Sequence, residues 1–330
     1  MDVWLPLAFT VLMGLAMLAY VVLDGFDLGI GILLPNVDDA GKDRMIAAIG
    51  PFWDANETWL VLGIGLLLVA FPKAHGAILG ALYLPVTVML IGLILRGVAF
   101  DFRVKADDAH RPLWNGAFFA GSLMAALAQG WMLGSYVIGF RDDAAGLAFS
   151  ALIAVCLAAG YVLLGACWLI MKSEGPLREQ GIRWAWRALW LTGLGIAAVS
   201  VVTPLVSERI FAKWFSMPAF FFLLKLPLLS ALVFFYAESR LRRLARRERA
   251  SDWQPFASAV ALFLLAFIGL AYSLFPYLVV DELTVWTAAA STDALLIMFV
   301  GAAITLPVII GYTVFAYRVF WGRDGALSYE

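Results

Sequence analysis

Apolar runs long enough to cross a bilayer recur along this chain, each separated from the next by a short polar interval. A crossing helix needs about 20 predominantly apolar residues. The pattern predicts nine such helices, over residues 4–23, 57–72, 77–99, 114–139, 145–171, 188–206, 218–237, 256–275 and 293–317. The first run lacks a basic leader and is too long for the apolar core of a signal peptide, so it reads as a helix. The intervals hold no low-complexity linker and no phosphate-binding glycine loop. The predicted fold is an all-α polytopic membrane protein, a single transmembrane domain over residues 1–330.

Composition narrows this further. Of the 330 residues 63% are hydrophobic and 14% charged, with a mean hydropathy of +0.91. Soluble domains carry about 25% charged residues, so a water-soluble globule is excluded. The formal net charge of −1 argues against a nucleic-acid partner. The basic residues report topology instead. Of 23 Lys and Arg, 17 fall in the odd-numbered intervals and the C-terminal end, and 4 in the even-numbered ones. By the positive-inside rule the N-terminus lies outside and the C-terminus in the cytoplasm. Cys156 and Cys167 sit on the fifth predicted helix, about 16 Å apart along its axis, too far to bridge each other. They read as packing residues.

Charges inside a span cost about 2.5–3.5 kcal/mol each on insertion scales, so each needs a reason. Asp24 and Asp27, at i and i+3, follow the apolar part of the first helix. Asp54 and Glu57, again at i and i+3, open the second. Arg96 lies about a turn before the charged exit of the third. Four carboxylates and one arginine from three consecutive spans therefore share one depth, at the inner surface. Two readings stand side by side. In one, Asp54 and Glu57 form a capping box, Asp24 and Asp27 face cytoplasmic water, and Arg96 snorkels. In the other, they share a hydrated pocket in which Arg96 is the charge partner, since carboxylates within membranes mark ion or proton pathways. Gly25-x-x-x-Gly29 and Gly31 fit either a tight helix crossing or a loosened end of the first span.

His75 and His110 fall at opposite faces and cannot ligate one haem together. No metal site of His and Cys is supported, and no catalytic or cofactor-binding residue is expected in this chain. Lys225, about two turns into the seventh span, either snorkels or pairs with Asp293 or with Asp281 and Glu282 of the acidic outer interval. Trp184, Trp186 and Trp190 read as an interfacial belt.

The stretches "DGFDLGIG" (Asp24–Gly31), "PFWDANETWL" (Pro51–Leu60), "LRGVAFDFR" (Leu95–Arg103) and "FPYLVVDELTVW" (Phe275–Trp286) resemble the second subunit of cytochrome bd-type quinol oxidases. The resemblance runs to "FWGR" at Phe320–Arg323, and the compact even intervals resemble the cyanide-insensitive branch of the family. It implies two four-helix bundles, residues 1–139 and 140–275, followed by an outer loop and a peripheral ninth helix over 276–330. It implies a bacterial cytoplasmic (inner) membrane, a heterodimer with a larger first subunit, and in some relatives a small single-helix subunit. The first subunit would hold haem b and haem d and the site of quinol oxidation, and this one would hold no haem. Positions matching Asp54 and Trp59 lie on a cytoplasmic proton uptake path in relatives. Asp24 and Asp27 match the acidic motif of the first helix, and Arg96 matches a family arginine; Asp24, Asp27 and Glu57 are expected to help Asp54 form the inner mouth of the proton pathway. Some relatives also hold a structural quinone. Lys225 matches no family motif.

Two rival readings remain at this stage. A proton-coupled transporter predicts internal inverted repeats and broken helices near the midplane, and neither is evident. A purely structural partner subunit predicts no proton role.

Overall fold

A computed structural model describes residues 3–320. Among them, nine helices are long and apolar enough to cross a membrane. In chain order the helices are α1 (Trp4–Leu33), α2 (Asp39–Ala47), α3 (Trp53–Ala70), α4 (Pro72–Ala81), α5 (Tyr83–Lys105), α6 (Arg111–Val137), α7 (Ala144–Lys172) and α8 (Gly175–Val206). They continue with α9 (Glu208–Trp214), α10 (Ala219–Leu223), α11 (Lys225–Ala245), α12 (Trp253–Leu274), α13 (Val285–Ala288) and α14 (Thr292–Val319). A short antiparallel hairpin, β1 (Tyr277–Val279) and β2 (Leu283–Thr284), precedes α13. The spanning helices are α1, α3, α5, α6, α7, α8, α11, α12 and α14.

Several boundaries differ from the sequence expectation, each for a local reason. The first helix does not stop near residue 23 but runs to Leu33. Its polar residues are held inside the protein, so its length is not limited by the lipid. The third expected span splits at Leu82 into α4 and α5, and the seventh splits at Leu224 into α10 and α11. Lys225 is therefore the first residue of α11 rather than two turns inside it. It forms no ion pair with Asp281, Glu282 or Asp293; its Nζ lies 5.0 Å from the Phe222 ring centroid. Asp281 pairs instead with Arg209 Nε at 3.3 Å, which gives the acidic outer interval a basic partner from α9. The sixth expected span lengthens at its start, so Trp186 and Trp190 stack edge to face on helix α8, half in and half out of the protein.

The largest of three buried apolar clusters among the described residues has α7 at its centre. It packs against α1, α6, α8 and α12, while α8, α11 and α12 close a ring with it. On the other side α1 packs against α3 and α6, and α5 against α6. The crossing of α1 and α7 explains Gly25 and Gly29 of the first motif, while Gly31 lies against Ser122 of α6. A Cβ on Gly29 would come within 1.8 Å of the Tyr161 carbonyl oxygen, and one on Gly165 within 2.6 Å of the Ile30 nitrogen. Only glycine lets the two backbones approach this closely, the small-residue logic of membrane helix packing. Of the two readings of that motif, the tight crossing is the one realised, and the end of α1 stays helical.

Trp168 of α7 anchors the centre. It stacks on Phe26 at 4.3 Å, meets Phe52 and Tyr317 edge to face, and donates from Nε1 to the Ala48 carbonyl at 3.0 Å. Aromatic pairs of this kind add about 0.5–1.5 kcal/mol each beyond the area they bury. By contrast α14 is peripheral: Leu295 is its one buried residue among those described. Its C-terminal end is nevertheless tied down, because Tyr317 stacks on Phe52 and Lys172 donates to the Phe320 carbonyl. Trp321–Arg323, the rest of the last quoted motif, lie outside the described residues.

Candidate functional site

The polar residues singled out on α1, α3 and α5 converge. Arg96 is 1% exposed, and it donates from Nη1 to Asp24 Oδ1 at 2.6 Å and from Nη2 to Glu57 Oε2 at 3.0 Å. Its guanidinium also lies 6.0 Å from the ring centroid of Trp53. One arginine thus joins three helices. It does not snorkel, and Asp24 and Asp27, both fully buried, do not face water at the end of a helix. These two readings fail because α1 continues past the carboxylates, and Asn56 of α3 and Arg96 of α5 lie against them. Taking a charge out of water costs several kcal/mol unless it is paired and hydrogen-bonded, and the Asp24–Arg96–Glu57 arrangement supplies that pairing.

Asp27 is held differently. Its Oδ2 accepts from Asn56 Nδ2 at 2.8 Å, and the same nitrogen donates to the Leu23 carbonyl at 3.3 Å. Asn56 Oδ1 accepts from Tyr317 of α14 at 2.9 Å. Deeper in the core, Tyr161 donates to Gln129 Oε1 at 2.6 Å and Gln129 Nε2 donates to Tyr20 at 2.7 Å. Tyr20 precedes Asp24 by one turn on the same helix face. Asp24 Oδ2, Asp27 Oδ1 and Arg96 Nε are buried with no hydrogen-bond partner among the described residues.

Asp54 stands at the rim. It is exposed, in the first turn of α3, one turn before Glu57, whose side chain is 27% exposed. The expected capping box is not formed. The N-cap position is Phe52, with no side-chain cap bond. The amides of Phe52 and Trp53 already donate to the Ile49 carbonyl at 2.9 and 3.1 Å. The turn leading into α3 satisfies the first donors itself, and the Asp54 carboxylate stays free to face solvent. Trp59 is half-buried at the edge of the core, whereas the aromatic ring beside Arg96 is that of Trp53.

Sequence reasoning missed Asn56 as a ligand of the cluster, although it stands in the quoted motif between the two carboxylates. It missed Tyr20, whose i, i+4 relation to Asp24 was readable from helical spacing. Nothing local could have found Gln129, Tyr161 or Tyr317, which arrive from other helices.

No group of three or more His, Cys, Asp or Glu among the described residues is arranged to hold a metal ion. The two histidines are not placed to ligate one porphyrin iron together. His75 lies in α4 and His110 at the start of α6, at the two ends of α5, and His110 Nδ1 is engaged by Asp107 at 2.6 Å. That hydrogen bond also holds the exposed Asp107 carboxyl below the usual range.

Comparison with known proteins gives this arrangement a family. The family described as cytochrome bd terminal oxidase subunit II matches residues 5–320. The cytochrome bd ubiquinol oxidase subunit 2 of Bacillus subtilis is 26% identical over 342 residues, covering 98% of this chain and 96% of that one. The cytochrome bd-I ubiquinol oxidase subunit 2 of Escherichia coli is 27% identical, covering 94% and 93%. A chain in the structure of the bd oxidase from Geobacillus thermodenitrificans superposes with a TM-score of 0.79 over 96% of this chain and 98% of that one, at 18% identity, a likeness of fold. The motifs that meet around Arg96 and the pattern that runs through nearly the whole sequence agree: this multi-pass membrane protein belongs to the cytochrome bd terminal oxidase subunit II family.

Proposed function

We propose that this chain works as the second subunit of a quinol oxidase in the bacterial cytoplasmic membrane, assembled with a haem-bearing first subunit that oxidises quinol and reduces oxygen to water. In this reading haem b and haem d reside in the first subunit. The present chain contributes support and a mouth for proton uptake from the cytoplasm. The N-terminus lies outside and the C-terminus inside, as the distribution of basic residues argues. A structural quinone and a small single-helix subunit are further components in this reading.

The observation that carries the proton role is the graded burial along one end of α3. Asp54 is exposed, Glu57 is partly exposed and bound to Arg96, and Asp24 and Asp27 are buried behind it. Successive carboxylates passing from solvent into a low-dielectric interior are what a proton path needs. Asp54 collects protons at the surface, Glu57 and the α1 carboxylates accept them, and Trp53 and Trp59 wall the passage. Asp54→Asn is expected to lower oxidase turnover several-fold while haem content, read from the reduced-minus-oxidised spectrum, stays normal. Unchanged turnover would remove Asp54 from the path, and loss of haem d would make it a structural residue.

The purely structural reading draws on a different observation. Arg96 ties three helices together and would be needed for assembly even if no proton passed. Normal turnover in every assembled carboxylate variant would favour it.

A further inference from the structure

The two carboxylates on α1 share a cluster but have different neighbours. Asp24 Oδ1 accepts directly from Arg96 Nη1. A chain of donors also points its way. Tyr161 donates to Gln129 and Gln129 donates to Tyr20, one turn before Asp24, whose Oδ2 is buried without a hydrogen-bond partner among the described residues. Asp27 has no cation within ion-pairing distance among the described residues. Its Oδ2 accepts from Asn56, and the orientation of that amide is determined by a third atom. The Leu23 carbonyl can only accept, so the Asn56 nitrogen must face α1, and Asp27 Oδ2 must be an acceptor too. The Tyr317 hydroxyl, donating to Asn56 Oδ1 from the opposite side, agrees with that orientation. What is left is Asp27 Oδ1, buried and without a hydrogen-bond partner among the described residues.

An ionised carboxylate there would be a second uncompensated negative charge beside Asp24 and Glu57, which already share the single positive charge of Arg96. Carboxylates so close in a dry site do not all ionise. The groups that face Asp27 are Asp24 on its own helix, Asn56 and Glu57 on α3, Arg96 on α5 and Tyr317 on α14.

We infer that Asp24 is the counter-ion of Arg96, that Asp27 carries the exchangeable proton of the cluster on Oδ1, and that Asn56 is the positioning residue that keeps Oδ2 an acceptor. The location of the proton stands on geometry; its use in oxygen reduction rests on the uptake reading above. When the proton arrives, the cluster of Asp24, Asp27, Glu57 and Arg96 carries one net negative charge; when it leaves, two.

The test is the infrared C=O stretch of protonated carboxyl groups in the intact oxidase, recorded in water and in D2O. One such band is expected to vanish in Asp27→Asn and to remain in Asp24→Glu and Glu57→Gln. Asp27→Asn, which reproduces a neutral acid, is expected to assemble with a wild-type haem spectrum and melting temperature. Asp24→Asn, which strips Arg96 of its shorter ion pair, is expected to lower the melting temperature. Persistence of every band in Asp27→Asn, or loss of the band in Asp24→Glu, overturns the assignment. Should Asp27→Asn fail to assemble, Asp27→Glu must shift the band's frequency, and an unshifted spectrum overturns it equally. Normal turnover in Asp54→Asn would sink the uptake route and leave this assignment standing, so the two failures are separable.

Discussion

Arg96 and the arginines at the end of α11 are the same residue type in opposite settings. Arg240, Arg242, Arg243, Arg246, Arg247 and Arg249 crowd into ten residues, and all but the half-buried Arg240 are exposed. The residues buried beneath them are Ala237, Glu238, Leu241 and Leu244. Their partners are local or at the surface: Arg242 with Glu238 one turn earlier, Arg247 with Glu179 at 2.7 Å, Arg246 with Glu248 at 3.9 Å. Arg96 stands alone in sequence, is buried, and bridges carboxylates that lie 72 and 39 residues away. A run of exposed arginines makes local pairs at the surface, and each member is expected to be replaceable. A single buried arginine that bridges three helices is expected not to be.

This contrast can be broken or sharpened by substitution. The largest effect belongs to Arg96→Leu. It leaves Asp24 buried and unpaired, a loss of about 3–5 kcal/mol for a broken buried pair, and is expected to abolish recovery of assembled oxidase. Recovery of a complex with wild-type melting temperature would show that the bridge is dispensable. Tyr317→Phe comes next. It removes one hydroxyl that reaches Asn56 from α14, and an interhelical hydrogen bond within a membrane is worth about 0.6 kcal/mol on average and up to about 1.7. A small drop in melting temperature is expected, together with easier proteolysis of α14. No change in either would mean that the aromatic stack on Phe52 holds α14 alone. The smallest effect belongs to Arg243→Gln, an exposed member of the α11 run. It is expected to stay within about 0.5 kcal/mol of wild type, with turnover unchanged. A loss as large as that of Arg96→Leu would overturn the contrast itself.

Much of the molecule was readable from the chain. The nine spans follow from apolar length alone, because a bilayer sets how long an unbroken apolar helix must be. The convergence of Asp24, Asp27, Glu57 and Arg96 followed from counting depth along three consecutive helices. Burial was harder to read. The depth argument left open whether the α1 carboxylates face water or share a pocket, and only the continuation of α1 to Leu33 and the contacts from α3 and α5 made them interior. The Asp54–Glu57 spacing matched a capping box, but the preceding turn supplied Ile49 as an acceptor and removed the need for one.

The sequence by itself determined the membrane class, the number of crossings and which charges would meet, since these rest on local hydropathy and helix rise. The tertiary structure decided which of those charges are dry, which pair, and which neutral groups complete them. Tyr317 reaches Asn56 across 261 residues, and Gln129 reaches Tyr20 across 109. Hydrogen bonds between distant helices depend on how the helices cross and rotate. Here that is fixed by backbone contact at Gly29 and Gly165, a steric match of two surfaces that no local pattern encodes.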